Sequence, residues 1–468
     1  MNHKFLYKSL ILIGTALAIS LSGRLIGFNT EQIFVSGIFA ITILGAILFW
    51  EFRLSFAFLG SSIMLLTGIA TLEEFILSSS WEIIFFLIGM MILVAALKEL
   101  GVFTWLLGRT LCMKNMNAKK FLLVLTFTSA IMACVIDEVS SIVFMIMVIF
   151  ELSDYFEINP IPFVVASVLA TNIGSTGTVI GNPIGIFIAA KSGLTFEDFI
   201  THSFPLMIVS LIILYGALVV VLKKPLKELN EKIKIYEPNE FLIRLLSVPP
   251  EKKLRIGFAI LAFTLLAISL HHRIEIMLGL KENTVLLIIP LISAAFVMIW
   301  RRHRARSYVE NGVEWWTILF FIFLFAQSGI LAKTGATQVV ANRLTETVGE
   351  SQGALTGLVF LGSGIVSSFL DNVVVVAASI PVIKDLIAID PLREILWWAL
   401  LFGACFGGNL TIIGSTANII AIGTLEKDRK ITIKFSEWIK LSIFPTVCTM
   451  LFALLFFIFV YGYIYNHL

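Results

Sequence analysis

TNIGSTGTVIGNPIGI (171–186) and GGNLTIIGSTANI (407–419) are two polar, glycine-rich islands in a chain built mostly of apolar blocks. Each island interrupts an apolar run long enough to cross a bilayer, which takes about 20 residues as a helix. Backbone polar groups in lipid must bond within their own segment, so an interruption at that depth is tolerated only where it is buried in protein or lines a wet cavity. The two islands therefore predict two broken membrane helices, spanning 161–190 and 395–424. The glycines Gly174, Gly177, Gly181, Gly407, Gly408 and Gly414 allow the backbone to leave helical geometry, and Pro183 can open the next half-helix.

The rest of the 468 residues agrees with a polytopic all-α membrane protein. Some 58% are hydrophobic and 14% charged, against about 25% charged in a soluble domain. A net charge of +3 gives no reason to expect nucleic acid as a partner. Four scattered cysteines (Cys112, Cys134, Cys405, Cys448) form no disulfide framework. Further spans are expected near 9–24, 33–50, 54–72, 81–98, 203–222, 254–271, 284–300, 315–333 and 440–463. Two more apolar stretches, 121–150 and 354–386, carry Asp137-Glu138 and Asp371-Asn372 in their middles.

Basic loops set topology. The segment 223–253, with eight Lys/Arg and five Asp/Glu, and the run RRHRAR (301–306) belong inside. So do 98–120, with Lys98, Arg109, Lys114, Lys119 and Lys120, and 425–440, with Lys427, Arg429, Lys430, Lys434 and Lys440. Loop 72–80 holds Glu73 and Glu74 without a basic residue and belongs outside. These assignments agree only if 121–150 and 354–386 are re-entrant hairpins. The count becomes about eleven crossings, with the N-terminus cytoplasmic and Leu468 external in a plasma (inner) membrane.

An internal repeat sharpens this. Trp81 and Trp316 open WEIIFFLIG and WTILFFIFL, a shift of 235; Asp137 and Asp371 are shifted by 234; Thr178 and Thr411 open TVIGNPIGI and TIIGSTANI, a shift of 233. Residues 1–30 are then an extra N-terminal span, 31–222 the first repeat, 223–253 a cytoplasmic linker and 254–468 the second repeat. Five crossings per repeat make the second lie inverted relative to the first, an architecture of secondary transporters.

The candidate substrate- and ion-binding residues follow from these positions. A carboxylate inside an apolar membrane segment costs at least ~2.5 kcal/mol, so it faces a wet cavity, holds a cation or exchanges a proton; the bland alternative is a solvated hairpin mouth. Asp137, Glu138, Asp371 and Asn372 are in this class. The broken helices add Asn172, Ser175, Thr176, Thr178 and Asn182, and Asn409, Thr411, Ser415, Thr416 and Asn418. Unwound carbonyls suit a hard cation such as sodium, and half-helix N-termini suit an anionic or oxygen-rich solute. A sodium site is expected among Asp137, Asn172, Asp371 and Asn409. Thiols at Cys134 and Cys405 suit either a soft ion or plain packing. HExxH, Walker A and GxGD motifs are lacking, so neither a zinc protease, an ATPase nor that aspartyl protease class is expected, and no enzyme activity or cofactor beyond Na+ or H+ as coupling ion.

DEVSSIVF (137–144), NPIPFVVASVLATNIGSTGTVIGNP (159–183), SSFLDNVVVV (367–376) and GACFGGNLTIIGSTANIIAIG (403–423) resemble the ion transporter superfamily. The branch is that of the P protein, with the arsenite permease and NhaD-type sodium/proton antiporters as relatives and a citrate-transporter-like domain. The resemblance implies a scaffold half and a transport half that moves as an elevator, commonly in a homodimer. It makes Asp137-Glu138 and Asp371-Asn372 the hairpin tips, and 172–178 and 409–418 the facing loops. Glu138 stands where relatives often have Asn, and Gly185 where the P protein has Asn. The functions to weigh are cation-coupled transport of a small inorganic anion or oxyacid (arsenite-like or other), sodium/proton antiport, and a passive anion channel.

Overall fold

The computed structural model describes residues 3–102, 105, 117–235, 252–281, 283–349 and 351–461. Arg109, Cys112, Lys114, linker residues 236–251 and Leu468 lie outside the described residues. The helices are α1 (His3–Ile26), α2 (Thr30–Leu48), α3 (Arg53–Leu66), α4 (Leu72–Ser78), α5 (Trp81–Glu99), α6 (Ala118–Val135), α7 (Glu138–Phe156), α8 (Ile161–Gly174) and α9 (Pro183–Ser192). They continue with α10 (Phe196–Val221), α11 (Lys223–Ile235), α12 (Lys252–Ser269), α13 (His271–Leu278), α14 (Thr284–Trp300), α15 (Ala305–Gly312) and α16 (Trp315–Lys333). The last are α17 (Ala336–Val348), α18 (Gln352–Ser367), α19 (Asn372–Ile389), α20 (Ile395–Gly407), α21 (Thr416–Arg429) and α22 (Phe435–Leu455).

Among the described residues nine helices are long and apolar enough to cross a membrane, or ten if α12 and α13, bent by 65°, count as one span. The chain is a polytopic all-α membrane protein. The broken spans are α8–α9, with pieces of 14 and 10 residues, and α20–α21, with 13 and 14.

Local sequence explains the breaks and turns. α6 starts at Asn117, whose side chain accepts from the Lys120 N–H at 2.9 Å, and α7 starts at Asp137, which accepts from the Ser140 N–H at 2.8 Å. The two helices pack side by side as a hairpin, and Glu157 ends the second arm with a left-handed φ of 51°. This hairpin runs from 118 to 156, wider than the expected 121–150, because Glu151 and Asp154 extend the arm toward its open end. The expected span 54–72 is also revised. α3 stops at Leu66, Gly68 turns with φ +71°, and Thr71 and Glu74 close a capping box that starts α4 as a separate helix.

Two glycines explain how the broken helices meet the hairpins. A Cβ at Gly174 would overlap the Ala130 backbone, and one at Gly407 would overlap the Gly364 backbone. Gly174 and Gly407 differ by 233, the shift that relates the two islands. Without a side chain at either, α8 lies directly on α6 and α20 directly on α18, the small-residue packing that brings membrane helices together.

Ion pairs gather the helix ends into two sets. Glu99 pairs with Arg301 and Arg304, Asp154 with Arg429, and Glu157 with Lys232. Glu74 pairs with Lys333, Glu82 with Lys191, and Glu197 with Arg273. The first set involves the basic segments 98–120, 223–253, 301–306 and 425–440; the second includes Glu74 of the acidic loop 72–80. Each such exposed pair is worth about 0–1 kcal/mol, so the pairs orient helix ends more than they stabilise them.

Candidate functional site

Both hairpin tips end against the breaks of the interrupted helices. The Thr178 hydroxyl donates to the Cys134 carbonyl at 2.5 Å, and the Thr411 hydroxyl donates to the Ser368 carbonyl. Each threonine thus pins the tip of one hairpin to the break beside it. The second arms, α7 and α19, and the second half-helices, α9 and α21, all begin here, so four helix N-termini gather in one region. Their N–H groups make it favourable for anions or oxygen-rich groups.

An asparagine cluster joins the two islands. The Asn172 amide donates to Asn409 Oδ1 at 2.8 Å and to Asn418 Oδ1 at 2.9 Å, while its own Oδ1 accepts from the Ser415 hydroxyl at 3.0 Å. Asn418 donates to the Gly408 carbonyl at 2.8 Å and to the Thr411 carbonyl at 2.7 Å, holding the unwound backbone open. Asn409 reaches the Leu169 carbonyl at 3.3 Å, and its own carbonyl accepts from Trp438 Nε1 at 3.2 Å. All these side chains are buried. Their amides are committed to protein partners, so they shape the loops.

On the first island Asn182 caps α9 through the Gly185 N–H (2.7 Å) and donates to Ser175 Oγ (2.8 Å) and Cys405 Sγ (3.3 Å). Ser175 Oγ also reaches the Asn172 carbonyl at 3.0 Å. Thr176 bonds locally to the Ile173 carbonyl at 2.8 Å, and its own carbonyl accepts from the Ser203 hydroxyl at 2.6 Å. The matching cap on α21 is Ser415, which accepts from the Ala417 N–H at 3.1 Å.

The tips carry the charge. Asp371 caps α19 through the Val373 N–H at 2.9 Å, and its second oxygen accepts from the Thr416 hydroxyl at 2.5 Å. Asp137 is half-buried and caps α7. Glu138, 1% exposed, faces Ser175 and Asn372. Its Oε2 has no hydrogen-bond partner, and neither polar atom of the fully buried Asn372 has one within bonding distance. Glu138 and Asn372 are related by the same shift of 234 as the tip aspartates. The tips therefore meet through a buried carboxylate and a buried amide with unused bonding capacity.

A cavity of about 230 Å³ reaches this point. Its lining includes Lys98, Asp137, Glu138, Asn182, Asn311 and Glu314. Sequence reasoning missed Glu314 and Arg53. Arg53 Nη2 donates to Thr317 Oγ1 at 3.4 Å, and that hydroxyl donates to Glu314 Oε2 at 3.3 Å; Arg53 also lies within electrostatic reach of Asp371. Both sit at span ends, where a charge is ordinary, so nothing local marked them. Among the described residues no three His, Cys, Asp or Glu gather as a metal-holding group.

A family model described as "Citrate transporter" matches residues 43–337 and 291–467. An uncharacterized transporter of Mycobacterium tuberculosis is 31% identical over 346 residues, covering 73% of this chain and 78% of that protein. The 46 kDa membrane protein of Mycobacterium leprae is 31% identical over 386 residues, covering 80% and 85%. The human P protein is 26% identical over 423 residues, covering 74% of this chain and 50% of that protein. Among solved structures, the Alcanivorax borkumensis YdaH transporter superposes with a TM-score of 0.54 at 13% identity, covering 86% of this chain and 89% of the other, a likeness of fold.

Proposed function

Since this chain belongs to the citrate transporter family of membrane transporters, we propose that it is a secondary active transporter of a small inorganic anion or oxyacid coupled to Na+ or H+. The observation that carries the reading is Glu138, a buried carboxylate with an unpartnered oxygen facing the unpartnered amide of Asn372. An ionised carboxylate buried without a partner costs several kcal/mol. The site therefore rests with a proton or a cation on Glu138. An anionic solute drawn by the helix N-termini meets Asp137, Glu138 and Asp371 first, and its binding waits until a cation or proton has offset that charge. This dependence is coupling in electrostatic form. The same requirement holds for a carboxylated solute such as the citrate for which the family is described. The two hairpins, each pinned to one break, support elevator-type alternating access, with the 230 Å³ cavity as the path from the Lys98 face.

Sodium/proton antiport is the second reading, favoured by three tip carboxylates, one of them within electrostatic reach of Arg53. Proteoliposome flux separates them. Solute uptake accelerated by an imposed sodium or pH gradient supports the first reading. A sodium-driven internal pH change without solute supports the second. Solute flux indifferent to both gradients removes coupling altogether and leaves a passive channel.

A further inference from the structure

The carboxylates of the cavity are graded in exposure along its depth. Glu314 is exposed, Asp137 is half-buried and Glu138 is 1% exposed, and all three line the same space. Among the described residues no three of His, Cys, Asp or Glu form one metal-holding group. Glu314 stands just ahead of α16, in neither hairpin nor in either broken helix. Thr317 fixes one of its oxygens, and Arg53 holds Thr317 from α3. Lys98 lines the same cavity and is exposed at its rim. The buried Oε2 of Glu138, on the same lining, has no hydrogen-bond partner.

We propose that Glu314 is the outer ligand of an access path for the coupling cation, which passes from Glu314 to Asp137 and then to Glu138. The inference rests on the cation-coupled reading above and adds a residue outside the repeated motifs. A carboxylate at a cavity mouth raises the local cation concentration by focusing the field between low-dielectric walls. It also replaces part of the ion's hydration before the fully buried site has to. Because Glu314 lines the cavity that Lys98 also lines, its effect is sided.

The test uses the full chain in intact cells and in inverted membrane vesicles, with solute uptake measured over a sodium series at fixed pH and a pH series without sodium. Glu314→Gln is expected to raise the apparent KM for the coupling cation about tenfold or more from the Lys98 face. From the opposite face KM stays at the wild-type value, and the maximal rate is kept from both. Glu314→Asp is expected to recover most of the loss, and Glu310→Gln, which removes an exposed partner of Arg306, to change nothing. An unchanged KM in Glu314→Gln, or an equal rise from both faces, overturns the proposal while leaving coupling intact. Wild-type flux without sodium or pH dependence overturns the coupling reading itself, and the proposal with it.

Discussion

At the first tip Asp137 is half-buried beside an open cavity and is followed by a carboxylate, Glu138; at the second, Asp371 is 6% exposed under the Thr416 hydroxyl and is followed by an amide, Asn372. The framework around them matches position for position. Thr178 and Thr411 pin the tips, Asn182 and Ser415 cap the half-helices, and Gly174 and Gly407 let the helices touch. The halves diverge in what fills that framework. Gly185 has no side chain where Asn418, 233 residues later, spends its amide holding two loop carbonyls. The first tip holds two carboxylates beside a cavity; the second holds one carboxylate and one amide, closed over by Thr416. Matching frameworks thus hold different fillings, a cavity beside one tip and a hydroxyl closed over the other.

The largest expected effect concerns orientation. With the native cysteines replaced, cysteines placed at Asp154 and at Glu346, near the open ends of the two hairpins, are expected to react with an impermeant maleimide from opposite membrane faces. Labelling of both from one face removes the inverted relation between the halves. Next comes charge placement. Glu138→Gln is expected to lower gradient-driven uptake about 100-fold, roughly 2.7 kcal/mol of lost coupling. The exchange Glu138→Asn with Asn372→Glu is expected to recover at least about tenfold over Glu138→Asn alone. A swap as inactive as the single change shows that the cavity side alone can hold the charge.

Smaller effects test the shared frame. Asn172→Ala strands Asn409 Oδ1, Asn418 Oδ1 and the Ser415 hydroxyl. Each buried unsatisfied group costs about 1–3 kcal/mol, so a fall of at least about 3 kcal/mol is expected, read as a lower thermal midpoint in detergent. Thr178→Val removes the bond to the Cys134 carbonyl and Thr411→Val the bond to the Ser368 carbonyl together with the long one from the Ile413 N–H; the tip bond is expected to be worth about 0.5–1.5 kcal/mol in each. Unequal midpoints for these two would show that one hairpin is held less firmly than the other.

The tips and breaks were legible in the sequence because charge, amide and glycine are conspicuous inside apolar runs: Asp137, Glu138, Asp371 and both islands stand out for that reason. Helices that lie at the surface were harder to see. The linker residues 223–235 read as a charged segment but form α11, whose Leu226, Leu229 and Ile233 are buried along one face. α17 was not anticipated because polar residues such as Thr337, Asn342 and Arg343 hid its buried Ala336 and Ala341. Arg53 and Glu314 were invisible because their significance lies in where α3 and α16 end relative to a tip far away in sequence. The commitment of the Asn172 amide to Asn409 and Asn418 likewise depends on contacts across 237 and 246 residues.

Those last contacts have a consequence for the order of events in biosynthesis. At about 5–20 residues per second, a ribosome needs on the order of 12–50 s to travel from Asn172 to Asn418. For that interval the first island sits in the bilayer with its amide waiting for partners still unmade. The first half is thus a nascent intermediate rather than a finished domain. Its closure is timed by the arrival of the second half, and whatever shelters Asn172 meanwhile, be it water, lipid headgroups or the insertion machinery, has to release it when Asn409, Ser415 and Asn418 emerge.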